Sequence, residues 1–393
     1  MMSVRLKHRS AFFKHFSKGS FLGFLWIGLL SACITPVDLE PEGFNDILVV
    51  NGFITDQPGP HRITLDRLSR FVGVREEGGT RRFEENARVR IIDDQGNVTP
   101  VERVLEVQKR VFNADPFGGC LPAADSIVVQ SASFRTPSGF TGVVGRSYTL
   151  EVVTQEGRTY RSTPQLILPT PPIDSIGLEF KVLPAVNTPR SGVEIYAAFQ
   201  DPVGENFYFW QYNGIYRIDT PPSPDPDACC LYDPADDGED ECWILERNVA
   251  GNQLAVSDRL FDGQNTRQLA GMIEDNGLRF ANGKTPTTRQ YYVELFQYNM
   301  SQEAFNYNER ILDLAEINGE VFDPPPLSVG GNLTNVENPD DPIIGFFGAF
   351  SVQKAEIFID RDILTFLQPF PGPCGDCRVR AGAQVEIPEP YRR

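Results

Sequence analysis

Short runs in which apolar and polar residues alternate, separated by turn residues, fill the chain from residue 47 onward and predict a mainly β protein. The first run, Ile47-Leu48-Val49-Val50, leads into Asn51-Gly52, which reads as a turn dipeptide breaking the strand. Further strands are expected over 61–65, 87–92, 126–129, 147–153 and 159–162. Between them, Asp93-Asp94-Gln95-Gly96-Asn97 and Gln155-Glu156-Gly157-Arg158 have the chemistry of hairpin turns. The spacing predicts an immunoglobulin-like antiparallel sandwich over residues 45–168.

Leu168-Pro169-Thr170-Pro171-Pro172 interrupts the pattern, because consecutive prolines cannot continue a central strand and stiffen a linker. A second β-rich domain is expected over 169–393, with long strands at 193–199, 206–212 and 291–298. One amphipathic helix follows the last of these. Ser301 is its cap, Met300 and Phe305 have the spacing of a hydrophobic staple, and Ile311, Leu312 and Ala315 extend the apolar face. Asn318-Gly319 stops it.

The first 32 residues break the alternation in another way. Arg5, Lys7, Arg9, Lys14 and Lys18 precede an apolar run over 21–30 that is too short to span a bilayer as a helix. Leu30-Ser31-Ala32-Cys33 closes that run with small residues and a thiol, the pattern of a lipoprotein cleavage site. Residues 1–32 therefore read as a signal peptide, Cys33 as the lipidated mature N-terminus, and 33–44 as a polar, proline-broken tether. Several acyl chains on one residue, palmitate among them, hold a protein to a membrane stably.

Processing at Cys33 removes five positive charges and takes the formal charge from −17 to −22. A surface that acidic excludes nucleic acid as a partner of the folded body. His8 and His15 leave with the leader, so His61 is the one imidazole of the mature chain, and its Pro-Gly-Pro neighbourhood reads as a surface turn. Six cysteines remain in an oxidising compartment: Cys120, Cys229, Cys230, Cys242, Cys374 and Cys377. They are disulfide candidates whose connectivity spacing does not fix. Cys374-Gly375-Asp376-Cys377 stands open between a small-loop disulfide, a bond to a central cysteine, and redox or metal chemistry. Asp233, Asp236, Asp237 and Glu239 crowd carboxylates around Gly238 and are weak Ca²⁺ candidates against the plainer reading of a solvated acidic loop. No cofactor is otherwise indicated.

Tyr and Phe are dense over 207–216 and 291–298, where alternation sends half of each strand to the core and leaves half for packing or for stacking on a peptide or glycan. Phosphate-loop, Rossmann, GxSxG and HExxH motifs are absent from the sequence, so no catalytic residue is assigned.

Taken in order, the lipobox at Cys33, Leu48-Val49-Val50-Asn51-Gly52-Phe53-Ile54-Thr55-Asp56, the 291–297 strand with its helix, Asn332-Leu333-Thr334-Asn335-Val336, Ile343-Ile344-Gly345-Phe346-Phe347-Gly348-Ala349-Phe350 and the Cys374–Cys377 tail resemble the DUF4249 family of Bacteroidetes lipoproteins. The resemblance implies an outer-membrane, lipid-anchored protein, facing the periplasm or the cell surface, accessory to a TonB-dependent receptor in nutrient uptake and without catalysis of its own. It transfers no catalytic residue. The alternatives are a structural or envelope-assembly lipoprotein and, from another class, a carboxylate-based hydrolase.

Overall fold

The computed structural model describes residues 47–68, 82–84, 86–110, 127–183, 190–219, 241–247, 255–275, 291–316, 330–364 and 383–392. The first half forms β1 (Ile47–Thr55), β2 (Arg62–Leu68), β3 (Arg82–Phe83), β4 (Arg88–Asp93), β5 (Val98–Arg110), β6 (Ile127–Arg135), β7 (Ser147–Val153), β8 (Thr159–Ser162) and β9 (Gln165–Leu166). The second half adds β10 (Ser175–Leu183), β11 (Arg190–Gln200), β12 (Phe207–Asp219), β13 (Glu241–Glu246), β14 (Val256–Ser257), β15 (Asn265–Glu274) and β16 (Tyr291–Met300). After β16 come the helix α1 (Gln302–Glu316), β17 (Leu333–Asn335), β18 (Ile343–Ile359) and β19 (Ala383–Gln384). The protein is mainly β, with one α-helix among the described residues.

A large sheet runs β17-β8-β7-β4-β5-β6-β2-β1-β18-β16-β12-β13-β19, and β10-β11-β15 form a separate three-stranded sheet. Every pairing is antiparallel except one. β1 lies parallel to the first half of β18, from Leu48 opposite Ile343 to Thr55 opposite Phe350. The second half of β18 pairs antiparallel with β16, so a single strand of 17 residues joins the early and late parts of the sheet.

Three apolar clusters follow from the alternation. The first half of the chain closes around Val50, Ile63, Leu150 and Tyr160, and takes Leu333, Phe347 and Ala349 from the end of the chain. In the second half, Val193, Ile195 and Phe199 of β11 pack on Trp210, Tyr212, Val293 and Leu295 of the large sheet. The opposite face of that sheet receives α1 through Ala304 and Phe305. The Ser301 hydroxyl accepts the Ala304 N–H at 3.2 Å, and Met300 and Phe305 share one cluster, as the cap and staple spacing requires.

Several sequence expectations meet the structure at the same residues. β7 and β8 span 147–153 and 159–162, joined through Gly157 at φ +86°. The Asp93 carboxylate accepts the Gln95 and Asn97 N–H groups and holds the β4–β5 turn. One is corrected here. Asn51-Gly52 is not a turn: β1 runs straight through it, because a Cβ on Gly52 would sit 2.8 Å from the Arg62 carbonyl oxygen. Glycine there lets β2 approach. The segment 168–172 is tied to the sheet, with Asn299 Nδ2 donating to the Pro169 carbonyl at 2.9 Å and Gln297 Nε2 to that of Pro171 at 2.9 Å.

One buried charge gives the first half a pH signature. Burial by itself raises the pKa of Glu151, but hydrogen bonds from Arg161 and Arg90, both at 2.5 Å, more than reverse this and leave it below the ordinary glutamate value. A depressed carboxylate stabilises fully above its unfolded pKa, and that stability is lost as pH falls through the lower folded value. The urea midpoint is therefore expected to drop on acidification from about pH 6 to about pH 3. Glu151→Gln should be less stable at the higher pH and show a shallower acid dependence. An unchanged acid slope in that variant refutes the role.

Candidate functional site

The middle of the large sheet builds a side-chain array that no single strand reveals. Residues opposite one another in β12, β16 and β18 point to the same face, and successive pairs alternate between faces. On one face, Trp210, Tyr212, Val293 and Leu295 enter the core. The other face carries four rows. Ile215, Tyr292 and Phe358 form the first, and Asn213, Glu294 and Glu356 the second. Gln211, Phe296 and Lys354 form the third, and Phe209, Tyr298 and Val352 the fourth. Lys354 and Glu356 are exposed, while Gln211, Asn213, Glu294, Phe296 and Phe358 are half-buried. The array is therefore a trough floor, apolar at both ends and polar in the middle.

The C-terminal segment walls one end. Tyr391 Oη donates to the Ile215 carbonyl at 2.8 Å and accepts the Tyr292 N–H at 3.1 Å, and its ring lies 4.1 Å from that of Trp243. Between this segment and the floor is a cavity of about 920 Å³ that includes Tyr292, Glu294, Lys354, Glu356 and Phe358. Strands β1 and β2 wall the other end, where a cavity of about 500 Å³ includes Asn51, Phe53, Thr64, Gln211, Phe296 and Tyr298. Phe53 packs edge-on to Tyr298 at 5.8 Å and tilted against Phe350 at 5.5 Å. Beyond this end, Phe305 of α1 stacks on Phe207 at 4.7 Å.

The central charges hold one another. Lys354 Nζ lies 2.6 Å from Glu356 Oε1 and 3.4 Å from Glu294 Oε1, and its contact with Glu356 raises its pKa above the ordinary lysine value. Asn213 Nδ2 donates to the second oxygen of Glu294 at 3.2 Å. Tyr298 Oη donates to Gln211 Oε1 at 3.4 Å, and burial pushes its phenol well above the usual range.

His61 lines the smaller cavity but is not a surface turn residue. It is 9 % exposed, its ring lies edge-on to Phe140 at 5.9 Å, and burial lowers its pKa. The Pro-Gly-Pro turn before it folds inward: the Gly59 N–H donates to the Phe140 carbonyl at 2.8 Å. Cys242 is fully buried in the core beside Ile218 and Ile244 and is disulfide-bonded. Cys33, Cys120, Cys229, Cys230, Cys374 and Cys377 lie outside the described residues, as do Asp233, Asp236, Asp237 and Glu239.

A different acidic cluster is present. Oxygens of Asp201, Asp258 and Asp262 lie within 4.8 Å of one another, the first two buried. Each already accepts backbone N–H groups: Asp201 from Gly263 at 2.9 Å, Asp258 from Asn206 at 2.8 Å, and Asp262 from Gly204 at 2.8 Å. Burial raises the pKa of Asp201, with the hydrogen bond from Tyr208 acting in the opposite sense. These bonds pin the 201–206 loop to the 258–263 turn, which accounts for the three carboxylates structurally.

Sequence reading found the aromatic strands that supply the floor but missed Lys354, Glu356 and Tyr391. Along β18 the charged residues Lys354 and Glu356 share a face with Val352 and Phe358, so alternation persists for only a few residues there. A family model described as a domain of unknown function, DUF4249, matches residues 34–356. The chain belongs to this family. The DUF4249 match covers the whole trough floor except Phe358, and the C-terminal wall lies beyond it. No curated protein and no solved structure matches the chain.

Proposed function

We propose that this DUF4249 protein is a lipid-anchored outer-membrane protein that holds a ligand in the trough, as a non-catalytic subunit of a TonB-dependent uptake system. The trough carries the reading. Its two cavities fall within the range of about 300–1,000 Å³ usual for ligand sites, and its floor combines rings with a few fixed polar groups. The leader and Cys33 support the anchor, and among the described residues no helix is long and apolar enough to cross a membrane.

One arrangement favours the hydrolase alternative. Glu294 and Glu356 stand directly opposite on neighbouring strands, the kind of carboxylate pair that cleaves glycosidic bonds. Lys354 weighs against it. A general acid has to be a protonated carboxyl, and an ammonium between the two glutamates is the wrong neighbour for one. The same ammonium suits carboxylates that serve as fixed hydrogen-bond acceptors.

Purification of the tagged, lipidated chain from its own membranes in mild detergent tests the uptake assignment. A TonB-dependent receptor is expected as the main co-purifying protein, identified by mass spectrometry. A preparation that retains its lipid and repeatedly brings down no such receptor sinks that part of the reading.

A further inference from the structure

We infer that the ligand of the trough is an extended, uncharged oligosaccharide; this rests on the reading of the chain as a binding subunit. Shape is the first argument. The two cavities are the ends of one floor, since Gln211, Phe296 and Val352 at one end and Ile215, Tyr292 and Phe358 at the other share one face of the same three strands. From Tyr292 to Tyr298 the floor runs about 20 Å at the rise of a strand. That length suits a chain of several sugar rings rather than a compact metabolite.

What the floor offers is the second argument. β16, the middle strand of the floor, is hydrogen-bonded to β12 on one side and to β18 on the other, so its backbone groups are spent in the ladder. A peptide added through main-chain pairing needs a sheet edge, and the middle of the floor has only side chains to give. Those side chains are planar carboxylates and amides, at Glu294, Glu356, Gln211 and Asn213, each presenting two polar atoms to neighbouring hydroxyls. Phe296 and Phe358 are half-buried and contribute apolar ring surface to the same array, which matches the apolar faces of pyranose rings.

Charge is the third. Lys354 is held between Glu294 and Glu356, so the three groups neutralise one another down to a single negative charge. A polyanion would meet two carboxylates and a polycation would have to displace Lys354. A neutral polyol uses all three groups as they stand.

The test is calorimetric titration of the full, detergent-solubilised chain with uncharged hexasaccharides of α-glucose, β-glucose, xylose and mannose, their disaccharides, and a lysine-containing hexapeptide. At least one hexasaccharide is expected to bind, with its disaccharide at least about tenfold weaker. Phe296→Ala and Gln211→Ala should each weaken it about tenfold with unchanged circular dichroism, and raising salt from about 0.1 M to about 0.5 M should change the Kd less than about twofold. The exposed Val203→Ala, away from the trough, serves as the control that leaves binding unchanged. The inference is overturned if no hexasaccharide binds, if the peptide binds more tightly, or if both floor variants bind like the unaltered chain. Receptor co-purification without sugar binding discards the ligand assignment and keeps the uptake reading; sugar binding without a receptor does the reverse.

Discussion

Gly345→Val is expected to lower the urea midpoint far more than Gly204→Val, although both glycines sit at φ +120°. That backbone conformation is costly for any residue with a Cβ, by about 1–3 kcal/mol. At Gly204 the cost stands alone, since an added Cβ would meet nothing within 4 Å. At Gly345 the added Cβ would sit 1.8 Å from the Val50 carbonyl oxygen and 2.7 Å from its carbon, in the middle of the parallel pairing of β1 with β18. The carbonyl of Gly345 is crowded in turn, lying 1.5 Å from where a Cβ on Gly331 would be. Neither neighbour is a flexible side chain, so the strands have to separate. We expect a loss beyond about 4 kcal/mol, among the most severe for a single substitution, seen as insoluble protein or a collapsed midpoint. Equal midpoints for the two variants would show that the close approach of the strands contributes nothing.

Cys33→Ala is expected to abolish acyl labelling and move the protein from the detergent phase to the aqueous phase on temperature-induced phase separation. Each buried methylene of an acyl chain contributes about 0.8 kcal/mol to membrane attachment, and the cysteine is the one atom-level site at which the leader pattern places those chains. The folded body is strongly acidic and offers anionic headgroups no compensating attraction. Labelled radioactive palmitate in the variant would refute the assignment of Cys33. Detergent-phase protein without label would point to an uncleaved leader instead.

Local rules read well where a strand has one buried and one wet face. β7 and β8 were legible for that reason, and the Ser301 cap of α1 and the turn glycines from their local chemistry; Asn318-Gly319 lies outside the described residues. They failed where a long-range neighbour decides the outcome. Asn51-Gly52 has turn chemistry, yet its glycine serves the approach of β2, and His61 follows two prolines, yet its turn folds onto Phe140. The first half of β18 is buried on both faces and carries no period of two, and in the second half the alternation is confined to the few residues around Lys354 and Glu356. The trough needed more still. Its rows depend on the register of three strands drawn from residues 207–219, 291–300 and 343–359, and no spacing along the chain encodes which residues stand opposite.

The sharing of β18 among three clusters sets the order in which the chain is able to mature during synthesis. β1 finds its parallel partner only after about 300 further residues have emerged, and the first apolar cluster lacks Phe347 and Ala349 until then. Such distant pairing is slow and leaves a strand edge and apolar surface open in the meantime. A nascent chain of this kind has to be kept from aggregating until almost its last segment has emerged, and a prematurely terminated product lacking β18 is a natural substrate for quality-control proteases.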